Sequence, residues 1–233
     1  MQKTGYGEEP EHTMMNHEWI RKTEAFLKQK FDQATEFEQP DIAYRIEHTY
    51  RVANIGKEIA AKEGFDETEM VIACLLHDVS YCEATGEGRF WPAVREHGRR
   101  SAQMTRPFLE ELGLPKDRIE DICYGIAIHV DAKADFPGEN TPFALTVGDA
   151  DCIDRFDVYR IHETLNNDAF LEKPFAEKRE YVEKRLARIP RLREAPVGTK
   201  TAGEMWKAKI DFYSEFCQRL ANQLKLSESV ICG

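Results

Sequence analysis

Apolar residues recur along this chain at helical spacing, with no convincing stretch of β alternation. From His17 to Glu36, Trp19, Ile20, Phe26, Leu27 and Phe31 fall on one helical face, and from Ile42 to Glu63 the positions Ile46, Tyr50, Val52, Ile55 and Ile59 repeat the pattern. Gly64 stops the second helix. Asp66 reads as the next N-cap, with Glu69 three residues on completing a capping-box-like pair, ahead of the apolar segment MVIACLL that leads to His77 and Asp78. Ala93 to Leu112 is amphipathic and is expected to bend at Pro107, where the i to i−4 bond is lost. Beyond Gly113 and Pro115, Asp117 with Glu120 predicts a capped helix to about Asp131. Thr141 before Pro142 starts a helix through Val147 to the acidic cluster Asp149, Asp151 and Asp154. Two further helices are expected, one from Phe175 to Ile189 and one from Thr201, capped with Glu204, to Leu226. EATGEGRF and DAKADFPGEN read as loops. There is no internal repeat, and the fold class predicted is all-α.

Composition narrows this picture. At 233 residues with 42% hydrophobic positions, the chain can bury a large core. No apolar run approaches the roughly 20 residues of a membrane helix. The N-terminus lacks the basic start and apolar stretch of a secretory signal, so a cytoplasmic location is expected, and residues 1–16 read as a flexible head. With 32 Lys+Arg against 42 Asp+Glu the formal charge is −10, which argues against duplex nucleic acid as a partner. Six scattered cysteines without a CxxC read as buried thiols of a reducing compartment.

The histidines carry the chemical signal. Of seven, His12, His17 and His162 sit in polar surroundings, whereas His48, His77, His97 and His129 lie on or at the ends of amphipathic helices. An apolar helix that delivers an imidazole and a carboxylate together into the interior is costly without a partner, and a metal ion is the natural one. Successive helical residues point about 100° apart, so both reach one cation only if it lies at the helix end, with other ligands arriving from separate helices. His48 and an aspartate of TVGDADCIDRF are the candidates.

The stretches RIEHTYRVANIGKEIA, ACLLHDVSY and GDADCIDRF together resemble the HD superfamily of metal-dependent phosphohydrolases over roughly residues 40–160. The resemblance implies an HD-domain helical bundle at 17–165 with a C-terminal helical extension at 166–233, whose segment from Tyr181 to Leu220 looks like that of bacterial HD hydrolases. It implies His48, His77, Asp78 and Asp151 as ligands, with Asp149 an alternative ligand or a residue behind them. His97 and His129 stand where a two-metal subgroup places two further histidines. The implied cofactor is one or two divalent transition-metal ions, with imidazole and carboxylate suiting Fe, Mn, Co, Ni or Zn. The implied reaction is hydrolysis of a small phosphorylated metabolite, a nucleotide being favoured, by metal-bound hydroxide, with Asp78 bridging as the catalytic carboxylate. Arg155, one turn after Asp151, and Arg99 are candidates to bind the substrate phosphate; Arg89 and Arg95 flank the same loop, and Arg51 reads as an ion-pair partner. Val79 and Ser80 follow the dipeptide in place of the Lys or Glu of some subgroups, so no leaving-group acid is assigned. Two alternatives share the ligand set: a di-iron oxygenase, disfavoured by the short interval from His129 to Asp151, and a nucleotide-binding sensor without turnover. No membrane partner is expected, and a homodimer is compatible with this reading.

Overall fold

Nine α-helices account for most of the described residues, which are 15–34, 39–83, 92–228 and 230 of a computed structural model. They are α1 (His17–Asp32), α2 (Gln39–Glu63), α3 (Glu67–Leu76), α4 (Pro92–Leu112), α5 (Lys116–Ile128), α6 (Pro142–Asp154), α7 (Val158–Asn167), α8 (Phe175–Arg193) and α9 (Lys200–Leu226). Short 3-10 turns follow α3 at Val79–Glu83 and α7 at Phe170–Glu172. No strand occurs among the described residues, so the fold is all-α. None of the helices is long and apolar enough to cross a membrane.

The apolar run MVIACLL has no polar face because α3 is the hub: every residue from Thr68 to Leu76 is buried. Helices α1, α2, α4, α5 and α6 pack around it, and the principal core joins Leu27 and Phe31 of α1 to Met70, Ile72 and Leu75 of α3 and to Leu109, Ile122 and Ile126 of α4 and α5. Gly64 ends α2 in the left-handed region at φ +76, where a side chain would be strained. A second cluster, Ile59, Ile153, Ile189, Trp206 and Ile210, packs α8 and α9 onto α2 and α6.

Several helix ends differ from expectation because tertiary partners claim the capping groups. Asp66 caps α3 by accepting from the Glu69 N–H at 2.9 Å, but the Glu69 carboxylate turns to the Arg118 guanidinium instead of reaching back. Helix α5 begins after Pro115 without a side-chain cap, since Glu120 is held by Arg106 at 2.6 and 2.8 Å, and it ends at Ile128 before left-handed Ala132. The cap of α9 is Thr199; Thr201 lies inside the helix, its N–H donating to Glu63 at 2.6 Å. Helix α1 stops at Asp32, whereas α8 runs through Pro190 to Arg193; α4 carries Pro107 inside it, as its expected span allowed. The separate helix α7 was not expected. Cys74, Cys123 and Cys217 are buried and free, and burial pushes the Cys123 thiol up to about 12. Residues 1–14, His12, Arg89, most of EATGEGRF and Cys232 lie outside the described residues.

Candidate metal centre

Four histidines are delivered by four different helices; two are fixed by helix-end carbonyls and a third by a carboxylate. His77 occupies the C-cap of α3 and folds its ring back so that Nδ1 donates to the Cys74 carbonyl at 2.7 Å. His129 repeats this at the C-cap of α5, donating to the Ile126 carbonyl at 2.7 Å. In each case a helix-end carbonyl without an intrahelical partner fixes the tautomer. On α2, His48 Nδ1 donates to Asp154 Oδ2 at 2.8 Å, and Arg51 Nε anchors the other Asp154 oxygen at 2.7 Å. His97 comes from α4, where Gly98 lets the chain approach the end of α5: a Cβ there would stand 2.8 Å from the Ala127 carbonyl oxygen and 3.0 Å from His129 Nδ1. Its ring lies against Tyr81, with centroids 4.7 Å apart.

These bonds turn the Nε2 lone pairs of His48, His77 and His129 inward, onto Asp78. The Asp78 oxygens divide the histidines between them. Oδ2 lies 3.7 Å from His48 Nε2 and 3.6 Å from His77 Nε2, while Oδ1 lies 3.0 Å from His97 Nε2 and 3.5 Å from His129 Nε2. Two compact ligand sets result, His48–His77–Asp78 and Asp78–His97–His129, with the aspartate common to both. Asp151 adds a carboxylate oxygen 3.3 Å from His48 Nε2, its other oxygen accepting from Arg155 at 2.9 Å. It stands beside the two sets, not within either.

The groups of the cluster do not all satisfy one another. His77 Nε2 is fully buried with no hydrogen-bond partner among the described residues, an unusual cost for a native interior. Burial pulls the His77 imidazole down to about 4, so it remains neutral and able to ligate. Burial opposes charge on Asp78 too, but the imidazoles of His77, His129 and His97 outweigh it and hold the carboxyl well below its usual range. Asp151 is likewise held low against burial by His48 and Arg155. His48 and His129 are raised despite burial, through bonds to Asp151 and Asp154 and to Asp78 respectively. A metal ion would compete with protons for these nitrogens, and the donor set, imidazoles with two carboxylates, suits a divalent transition metal.

A cavity of about 510 Å³ opens onto these groups, lined also by Tyr44, Arg45, Tyr81, Arg155, Arg160 and Glu163. Of the arginines singled out by sequence, Arg155 stands in this wall and Arg51 supports Asp154. Arg99 does not reach the wall: Asp131 binds its guanidinium at 3.0 Å through both oxygens, with Asp135 alongside. The supporting carboxylate behind His48 is Asp154; Asp149 points away and accepts from the Gly198 N–H at 2.7 Å. Sequence reasoning missed Arg45, which contacts Asp78 Oδ2 at 3.3 Å and lies 3.8 Å over the Tyr81 ring, although its place one turn before His48 was a readable signal. It also missed Arg160, which sits on the unexpected α7.

Fold and site together define an all-helical protein with a buried His/Asp cluster able to hold metal. The HD-domain family model matches residues 45–156, so the chain carries an HD domain, the module of a superfamily of metal-dependent hydrolases. The chain is similar to the crystal structure of a predicted HD superfamily hydrolase from an uncultured Thermotogales bacterium, with 22% sequence identity and a TM-score of 0.59, covering 87% of this chain and 91% of that one. That likeness is one of fold. No curated protein matches the chain.

Proposed function

We propose that this HD-domain protein is a metal-dependent phosphohydrolase acting on a small phosphorylated metabolite, with a nucleotide the favoured class. The observation that carries the reading is Asp78, whose two oxygens serve separate histidine pairs at the floor of a cavity walled by Arg45, Arg155 and Arg160. His48, His77, Asp78 and Asp151 would hold one ion, and His97, His129 and the shared Asp78 a second. Divalent cations bound there supply charge that polarises a phosphoryl group and makes water acidic enough to attack phosphorus near neutral pH. Asp154 keeps the proton on His48 Nδ1, so that Nε2 stays a donor of electrons to the site. The three guanidiniums give forked donors to the remaining phosphoryl oxygens. Tyr81 in the same wall is already covered by Arg45 and His97, and a planar base would pack against the ring of Tyr44, which favours a nucleotide.

The test is elemental analysis of the protein as purified, followed by a screen of phosphorylated metabolites with the metal found. Asp78→Ala is expected to lose bound metal and turnover together while keeping its helical circular dichroism. Turnover retained in that variant would sink the reading.

A further inference from the structure

On the far side of α7 from the metal centre lies a second cavity, of about 140 Å³. Helix α7 turns Arg160 and Glu163 toward the metal cavity and Ile161 and Leu165 toward this chamber, with Thr164 and Arg155 lining both. Val182, Cys217 and Leu220 of α8 and α9 supply the opposite apolar wall. Close packing would ordinarily fill such a space, and an apolar cavity of about 150 Å³ in another protein is known to take up benzene. This one differs in being edged with guanidiniums.

Of the three guanidiniums around the chamber, two are already engaged and one is not. Tyr181 donates to Asp168 at 2.6 Å, Arg185 binds the same carboxylate at 2.9 Å and lies 3.4 Å over the Tyr181 ring, and Arg155 binds Asp151. Arg188 is exposed at the chamber edge and makes no hydrogen bond or ion pair among the described residues. An apolar space the size of one ring, beside an uncommitted guanidinium, matches an amphiphilic anion.

We propose that this chamber is a second ligand site, distinct from the metal centre, for a small organic anion whose apolar body is one ring or a short branched chain. The body displaces no engaged polar group, and the anionic head meets Arg188. The occupant would touch Thr164 and Arg155, and so would contact the residue that holds the Asp151 carboxylate.

Benzoate is the probe, titrated into the full-length protein by calorimetry, with acetate as a charged control lacking the ring and benzyl alcohol as a ring lacking the charge. Saturable benzoate binding is expected, with both controls about tenfold or more weaker. Arg188→Ala, at an exposed position that should not disturb folding, is expected to weaken benzoate about tenfold and leave benzyl alcohol unchanged. Leu220→Trp, which fills the space, is expected to abolish binding of both. Benzoate binding no tighter than acetate overturns the proposal, as does unchanged affinity in Arg188→Ala. Binding that is lost in Asp78→Ala but kept in Arg188→Ala assigns the anion to the metal centre and equally overturns it.

Discussion

Asp78 and Asp149 are both aspartates removed from bulk water, and their surroundings drive them in opposite directions. Four imidazoles and Arg45 converge on Asp78, so its carboxyl stays ionised far below the usual range in spite of burial. At Asp149 desolvation faces only the Gly198 N–H, and the carboxyl rises to about 6. Burial alone therefore does not mark a functional carboxylate. What sets Asp78 apart is that imidazoles from four helices meet on it: His97 Nε2 and His129 Nε2 lie 3.0 Å from each other on one oxygen, and beside the other His77 Nε2 is buried with no hydrogen-bond partner among the described residues. The groups around Asp149 need nothing further.

The largest effect expected from this contrast lies in metal content. With Asp78 shared, Asp78→Ala should empty both ligand sets, whereas His129→Ala should leave His48–His77 with Asp78 and Asp151 intact and retain about half the metal of the unaltered protein. Mass spectrometry of metal per chain, combined with turnover, reads both at once. Equal metal in the unaltered protein and His129→Ala would show that the Asp78–His97–His129 set holds no ion, and Asp78 would then be no bridge.

A smaller effect is expected one step outward. Asp154 belongs to neither ligand set, yet it holds the His48 tautomer and is itself held by Arg51. Asp154→Asn should keep the fold and weaken metal binding by about 10- to 100-fold. The unaltered site should also release protons on metal binding, because His48 and His129 titrate above their ordinary value. Affinity should accordingly fall as pH drops through that raised range, and calorimetry in buffers of different ionisation enthalpy measures the protons displaced. Binding without proton release would show that His48 and His129 give up no proton to the metal.

The contrast also explains what the sequence could and could not disclose. The apolar run ending in His77 and Asp78 is local, and so are the cap at Asp66 and the Thr141–Pro142 start of α6; each is legible because its physics is contained within a few residues. The place of His97 and His129 was legible only through family likeness. The partner of His48 was not, since Asp154 is 106 residues away and Asp149 fits the same local pattern equally well. Only the packing of α6 decides which of these aspartates faces α2 and which faces the loop before α9. Arg160 escaped for another reason: Val158, Ile161 and Leu165 recur at helical spacing in α7, but the helix spans only ten residues and buries only Ile161.

The smallest predicted effect has the opposite pH sign, which makes it the sharpest check on the comparison. An aspartate whose folded pKa lies near 6 against about 3.8 unfolded binds more protons in the folded state between those values, so the stability it allows is full below pH 4 and is lost as pH rises through 6. Asparagine keeps an acceptor for the Gly198 N–H without the buried charge. Asp149→Asn should therefore match the unaltered protein in stability near pH 4 and exceed it by about 1–2 kcal/mol above pH 7, after allowance for partial solvent screening. Metal content should not change. Chemical denaturation at the two pH values reads the difference, and a destabilised Asp149→Asn that also loses metal would mean that Asp149 belongs to the same charged network as Asp78, collapsing the distinction between the two carboxylates.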